Sequence, residues 1–106
     1  MTRNEIKEKV HAVLFIYDSN PIKTKPLCAV CSITPRQLQT AIRDLRMDGV
    51  KVCSGDAGYW LWNGKDDSWE HTKRQLRSRV SKLMRVLIAM DMELEGQEKW
   101  DLNTIR

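Results

Sequence analysis

The sequence predicts an α+β chain in which three short helices lead into a β-hairpin and a long helix follows. Three observations carry that expectation. Apolar residues recur at helical spacing in segments before Gly49, and the period drops to two between Val50 and Trp62. A run with heptad spacing then extends from about Ser68 to about Glu95. The expected organisation is a first domain over 1–64, a long C-terminal helix over 65–96 and a tail over 97–106.

Residues 3–17 form the first expected helix, with Ile6, Val10, Val13, Leu14 and Tyr17 on one face. "DSNP" should end it, since Asn20 before Pro21 is pushed away from helical angles. "TKPLCAVCS" fits a second helix with Thr24 as N-cap and Pro26 in its first turn. A third starts at Thr34, with Pro35 at the first helical position and Gln37 completing a capping box. Gly49 supplies its left-handed stop, and Leu38, Ala41, Ile42 and Leu45 make its core stripe. Val50, Lys51 and Val52 then alternate, as do Tyr59 and Leu61 against Trp60 and Trp62, around a turn containing Gly55 and Gly58. Asp67 with Glu70 is the expected cap of the long helix, and Gly96 its stop.

The chain has 106 residues, room for one small domain with an appended element. Eighteen Lys and Arg against 14 Asp and Glu give a net charge of +4, which permits a nucleic-acid partner without requiring one. The opening "MTRNEIKEKVHAVLFIY" mixes acids with bases and does not read as a signal peptide; no apolar window is long enough to span a membrane. Three cysteines, an odd number, fit reduced thiols in a cytoplasm. No Gly-rich phosphate loop, His-containing triad or paired acids in an apolar frame suggest catalysis, so a non-enzyme is expected.

A helix pair followed by a β-hairpin is the winged helix-turn-helix plan. "LQTAIRDLRMDGVKVCSGDAGYWL" resembles the winged-helix end of the biotin repressor and the small winged-helix regulators of bacteria and their phages. The shared positions are Ile42, Leu45, Arg46, Gly49, Gly58, Tyr59 and Leu61, and with the preceding "L-x-x-x-C-x-I-T" turn the likeness covers roughly residues 3–62. It implies a DNA-binding fold. One departure is Asp56 with Ala57 at the wing tip, where such wings often carry a basic residue; an acidic tip would be repelled by phosphate.

With its apolar stripe turned inward, the third helix carries Arg36, Gln39, Thr40 and Arg43 on its opposite side. In a helix-turn-helix this face enters the major groove, where Arg suits guanine and Gln suits adenine. The plainer reading is a solvated helix face. Lys23, Thr24, Lys25 and Lys51 are candidate phosphate contacts.

Cys28-x-x-Cys31 and Cys53 could suggest zinc, but neither His11 nor His71 lies at motif spacing; buried free thiols fit better, and no metal or cofactor is expected. Trp60 and Trp62 share the outer face of the hairpin, so the long helix or a partner chain should cover them.

In the long helix, Trp69, Lys73, Leu76, Val80, Leu83, Leu87, Met90 and Leu94 follow spacings of four and three. A seam of that length argues for a homodimer, with Leu76, Val80, Leu83, Leu87, Met90 and Leu94 at its interface. Bases fill the first half and Asp91, Glu93 and Glu95 the second, which favours an antiparallel partner. The basic half could instead face nucleic acid, including RNA, or the seam could recruit another protein. The leading expectation is sequence-selective binding of double-stranded DNA by a cytoplasmic bacterial or phage transcriptional regulator, with no small-molecule ligand evident. The competing class is a non-catalytic interaction adaptor, as in phage replication or host takeover, using Trp60, Trp62 and the terminal helix.

Overall fold

The computed structural model describes residues 1–96, with side chains through Met92. It is α+β: α1 (Arg3–Ile16), α2 (Thr24–Cys31), α3 (Pro35–Met47), β1 (Val52–Gly55), β2 (Gly58–Leu61) and α4 (Ser68–Gly96). The chain divides into two compact units, Met1–Thr72 and the residues from Lys73 onward. The tail over 97–106 and the side chains of Glu93, Leu94 and Glu95 lie outside the described residues.

In α1 the amphipathic spacing buries Ile6, Val10 and Leu14. Its start is fixed by a capping box: Glu5 N–H donates to Thr2 Oγ1 at 3.1 Å and Thr2 N–H to Glu5 Oε1 at 2.7 Å. The helix breaks before the Asn20–Pro21 step, because Asp18 and Ser19 already take positive φ angles of 53° and 24°.

The start of α2 corrects the sequence expectation. Lys23, with φ −72° and ψ 160°, is the N-cap; Thr24 is already helical, and no side chain caps the first turn. Leu27, Cys28 and Cys31 face inward, and Ser32 closes the helix in the left-handed region.

The third helix follows the local chemistry of its ends. Gln37 N–H donates to Thr34 Oγ1 at 3.1 Å, and Thr34 N–H returns the bond to Gln37 Oε1 at 2.9 Å. At the other end Gly49 has φ 91°, which lets its N–H reach Arg46 O and the Val50 N–H reach Leu45 O, a Schellman closure. Leu38, Ala41, Ile42 and Leu45 join Val10, Leu14, Leu27 and Val52 in the core, with Tyr59 and Leu61 packed against it.

β1 and β2 pair antiparallel, Val52 opposite Leu61 and Ser54 opposite Tyr59. The ladder starts at Val52 rather than at Val50. Beside it, Ile22 exchanges backbone hydrogen bonds with Tyr59, each 2.9 Å long, so a single residue ahead of α2 pairs with the hairpin. That approach requires Gly58: its φ is 118°, and a Cβ there would lie 2.3 Å from Ile22 O.

The first residues of α4 belong to the first unit. Thr72 is buried and its Oγ1 accepts the Ser54 N–H at 3.1 Å. α4 begins directly after Asp67, the expected cap position, whose carbonyl accepts the His71 N–H at 2.9 Å, while Asp66 Oδ1 accepts the Ser68 N–H and hydroxyl.

Candidate nucleic-acid interface

The geometry of the site follows from which side of α3 the core claims. Leu38, Ala41, Ile42 and Leu45 are buried, so residues half a turn away must face out. Arg36, Gln39 and Arg43 are exposed and Thr40 is half-buried, which brings the four sequence-predicted side chains onto one surface. Among the described residues, Arg36 and Arg43 make no hydrogen bond or ion pair. Met47, 81% exposed, continues the row by one further turn.

Two flanks frame this row, and sequence reasoning missed both. On the α1 side, Arg3 donates to Asp44 through Nε and Nη2, each bond 2.8 Å. One turn on, Lys7 Nζ lies 2.6 Å from Asp48 Oδ2. Asp44, the carboxylate within α3, and Asp48, at its C-cap, are thus each matched by a base from α1. Hydrogen bonding by the guanidinium holds the Asp44 carboxyl below the ordinary aspartate range. On the hairpin side, Arg46 Nε donates to Val52 O at 2.9 Å and Nη2 to Ser54 Oγ at 3.2 Å, tying α3 to β1. Neither arrangement has a signal in helical or strand periodicity: the Arg3 and Asp44 partners are 41 residues apart, and Arg46 reaches from α3 across to β1. A groove of about 340 Å³ opens beside the row, lined by Met1, Arg3, Arg36, Gln37 and Thr40 among others.

The expected phosphate contacts lie on other elements. Lys23, Thr24 and Lys25 are exposed at the start of α2, where the backbone N–H groups carry no side-chain cap and offer an anion unfilled donors. Lys51 is exposed with its Nζ 5.1 Å from the centroid of the Trp62 ring, a cation–π contact. Asp56 is exposed at the hairpin tip.

The tryptophans are half-buried rather than a free patch. Trp62 Nε1 donates to Asp66 O at 2.9 Å and Trp60 Nε1 to Ser68 Oγ at 3.4 Å. The 63–68 segment that turns the chain into α4 supplies both acceptors. All three cysteines are buried and free, and burial raises the thiol pKa of Cys28 and Cys31. Cys53 Sγ lies 3.4 Å from Ser68 Oγ, and among the described residues no group of three or more His, Cys, Asp and Glu could hold a metal. His11 is half-buried and lines a groove with Phe15, Ile16 and Val50 on the other side of α1.

No protein-family model, curated protein or solved structure matches this chain.

In the second unit, the expected interface residues Val80, Leu83, Leu87 and Met90 are exposed and Leu76 is half-buried. Leu94 is outside the residues whose side chains are described. Among the described residues no helix is long and apolar enough to cross a membrane.

Proposed function

We propose that the chain is a winged helix-turn-helix protein that binds double-stranded DNA, with α3 in the major groove, acting as a transcriptional regulator in a bacterial or phage-infected cytoplasm. The observation that carries this reading is the outward row Arg36, Thr40 and Arg43, exposed or half-buried, with two guanidiniums that form no hydrogen bond or salt bridge among the described residues. Arg36 and Arg43 supply bidentate donors to guanine, Gln39 can bridge adenine, and Thr40 can reach either a base edge or a phosphate. Lys23, Lys25 and the open first turn of α2 hold a phosphate beside the groove, and Lys51 a second one.

The acidic hairpin tip stays off the backbone in this reading, so specificity rests on α3. An adaptor built on Trp60 and Trp62 is the weaker reading, because both indoles are half-buried with their N–H groups already bonded.

Selection of bound duplexes from a random library tests the proposal. The expected result is enrichment of a short G-containing motif, with affinity falling steeply as salt is raised. Recovery of no enriched sequence would remove the claim of sequence selectivity.

A further inference from the structure

The second unit leaves one apolar face of α4 in water. Val80, Leu83, Met84, Val86, Leu87 and Met90 are exposed, from 49% for Met84 to 69% for Leu83. They present on the order of 600 Å², so two chains meeting through them bury about 1,200 Å² in total, where stable interfaces begin. That area suits one partner helix.

The residues flanking the seam point to which helix that is. Val80 and Leu87 hold the first heptad position, and Leu76, Leu83 and Met90 the fourth. On one side of this seam the chain then places Arg77, Met84 and Asp91, and on the other Arg79, Val86 and Glu93. Arg77, Arg79 and Asp91 are exposed. Both series run base, apolar, acid at intervals of seven residues. Each is therefore complementary to its own reverse, with an apolar residue at the centre.

An antiparallel pair of identical helices asks for that pattern, because each flanking series then faces itself inverted and the residue at the two-fold axis meets its own copy. Met84 and Val86 can do so without like charges meeting. Position 77 falls across from 91 and position 79 across from 93, a base against an acid each time. The seam closes in the same register: Leu83 packs on the partner's Leu87 and Val80 on the partner's Met90, each contact recurring reciprocally. Sliding the copies by one heptad sets Arg77 or Asp91 against Met84 instead. A parallel pair sets Arg79 against Met84 and Val86 against Asp91, and matches no charges. Lys82, Arg85, Ile88 and Met92 fall on the outer side of the seam. We propose that α4 pairs with α4 of a second copy of this chain as an antiparallel two-stranded coiled coil, its two-fold axis crossing each helix at residue 85. The inference stands apart from the DNA-binding reading and survives its failure.

The mass of the full chain in solution, by light scattering after size exclusion, tests the pairing. The expected species has twice the 12.4 kDa chain mass. Leu83→Glu should give a monomer whose first unit melts as before. A wild-type monomer or larger assembly, or a Leu83 variant that stays dimeric, overturns the pairing.

Charge exchange tests orientation and register, read as the dimer dissociation constant by sedimentation. Arg77→Glu and Asp91→Arg should each raise it about tenfold, because two pairs per dimer become repulsive. Arg77→Glu combined with Asp91→Arg should return it to near the wild-type value. Residues 77 and 91 lie ~21 Å apart along one helix, so such a rescue passes between chains. Single variants that dimerise as tightly as wild type, or a double variant no tighter than they are, overturn the register.

Discussion

Arg3 grips Asp44 with two parallel 2.8 Å hydrogen bonds, linking the start of α1 to the flank of α3 beside Thr40. Under the DNA-binding reading, the pair neutralises a carboxylate that would otherwise repel the phosphate backbone. Removing only the base exposes the acid, so Arg3→Ala should weaken duplex binding more than Arg3→Ala with Asp44→Asn. Anisotropy titration of the two variants at one salt concentration checks this. Equal affinities would show that Arg3 acts only as a cation of its own.

The same pair has a pH signature. The native carboxyl of Asp44 titrates below the ordinary value of about 3.9, chiefly because of the Arg3 hydrogen bonds. Its contribution to stability is therefore complete above that value and is lost as pH falls through the lowered native one. Asp44→Asn should flatten the acid limb of a stability–pH profile followed by urea unfolding. It should leave the neutral-to-alkaline shape alone.

Gly58 and Gly64 make a matched comparison. Both have positive φ, 118° and 81°, yet only at Gly58 would a Cβ strike a neighbour, the Ile22 carbonyl. Gly64→Ala should cost about 1–2 kcal/mol, the penalty of the left-handed backbone. Gly58→Ala should cost about 3 kcal/mol or more, as it also breaks the Ile22–Tyr59 pairing. Denaturant unfolding measures both.

Much of the fold was legible where it depends on neighbours in sequence. Thr34, Pro35, Gln37 and Gly49 mark both ends of α3 because capping is chemistry within four residues. The Thr2–Glu5 box at the start of α1 is equally local, its two partners three residues apart. The first turn of α2 was misplaced by one residue because Thr24 is the better capping side chain, while the backbone places the extended residue at Lys23. The side chains of Arg36, Gln39, Thr40 and Arg43 could be assigned to one face from helical spacing alone. What frames them could not. The Arg3–Asp44 and Arg46–Val52 contacts and the Ile22–Tyr59 bridge arise only when separate elements pack, and no periodicity encodes them.

Lys23 separates structure from function at one position. As an uncapped N-cap it is a poor choice for helix stability, so Lys23→Ser should stabilise the chain by about 0.5–1 kcal/mol. Under the DNA-binding reading the same change removes a phosphate contact. Thermal unfolding should rise while duplex affinity falls. Unchanged affinity would remove Lys23 from the interface.

The buried thiols should be silent in the native protein. Cys28, Cys31 and Cys53 lie in the interior, and burial raises the pKa of the first two. A chromogenic disulfide reagent at neutral pH should titrate almost no thiol until denaturant is added, then all three. Fast labelling without denaturant would mean that the core opens far more readily than its packing implies.

The central claim is that the outward face of α3 reads duplex DNA. Its most direct test compares wild type with Arg36→Ala/Arg43→Ala in duplex titrations across a range of salt. The account predicts salt-dependent binding by the wild type, and a folded double variant with the same oligomeric mass that loses about 1–3 kcal/mol per arginine together with its sequence preference. Duplex binding of equal strength and selectivity by both proteins, or none by the wild type, would contradict it.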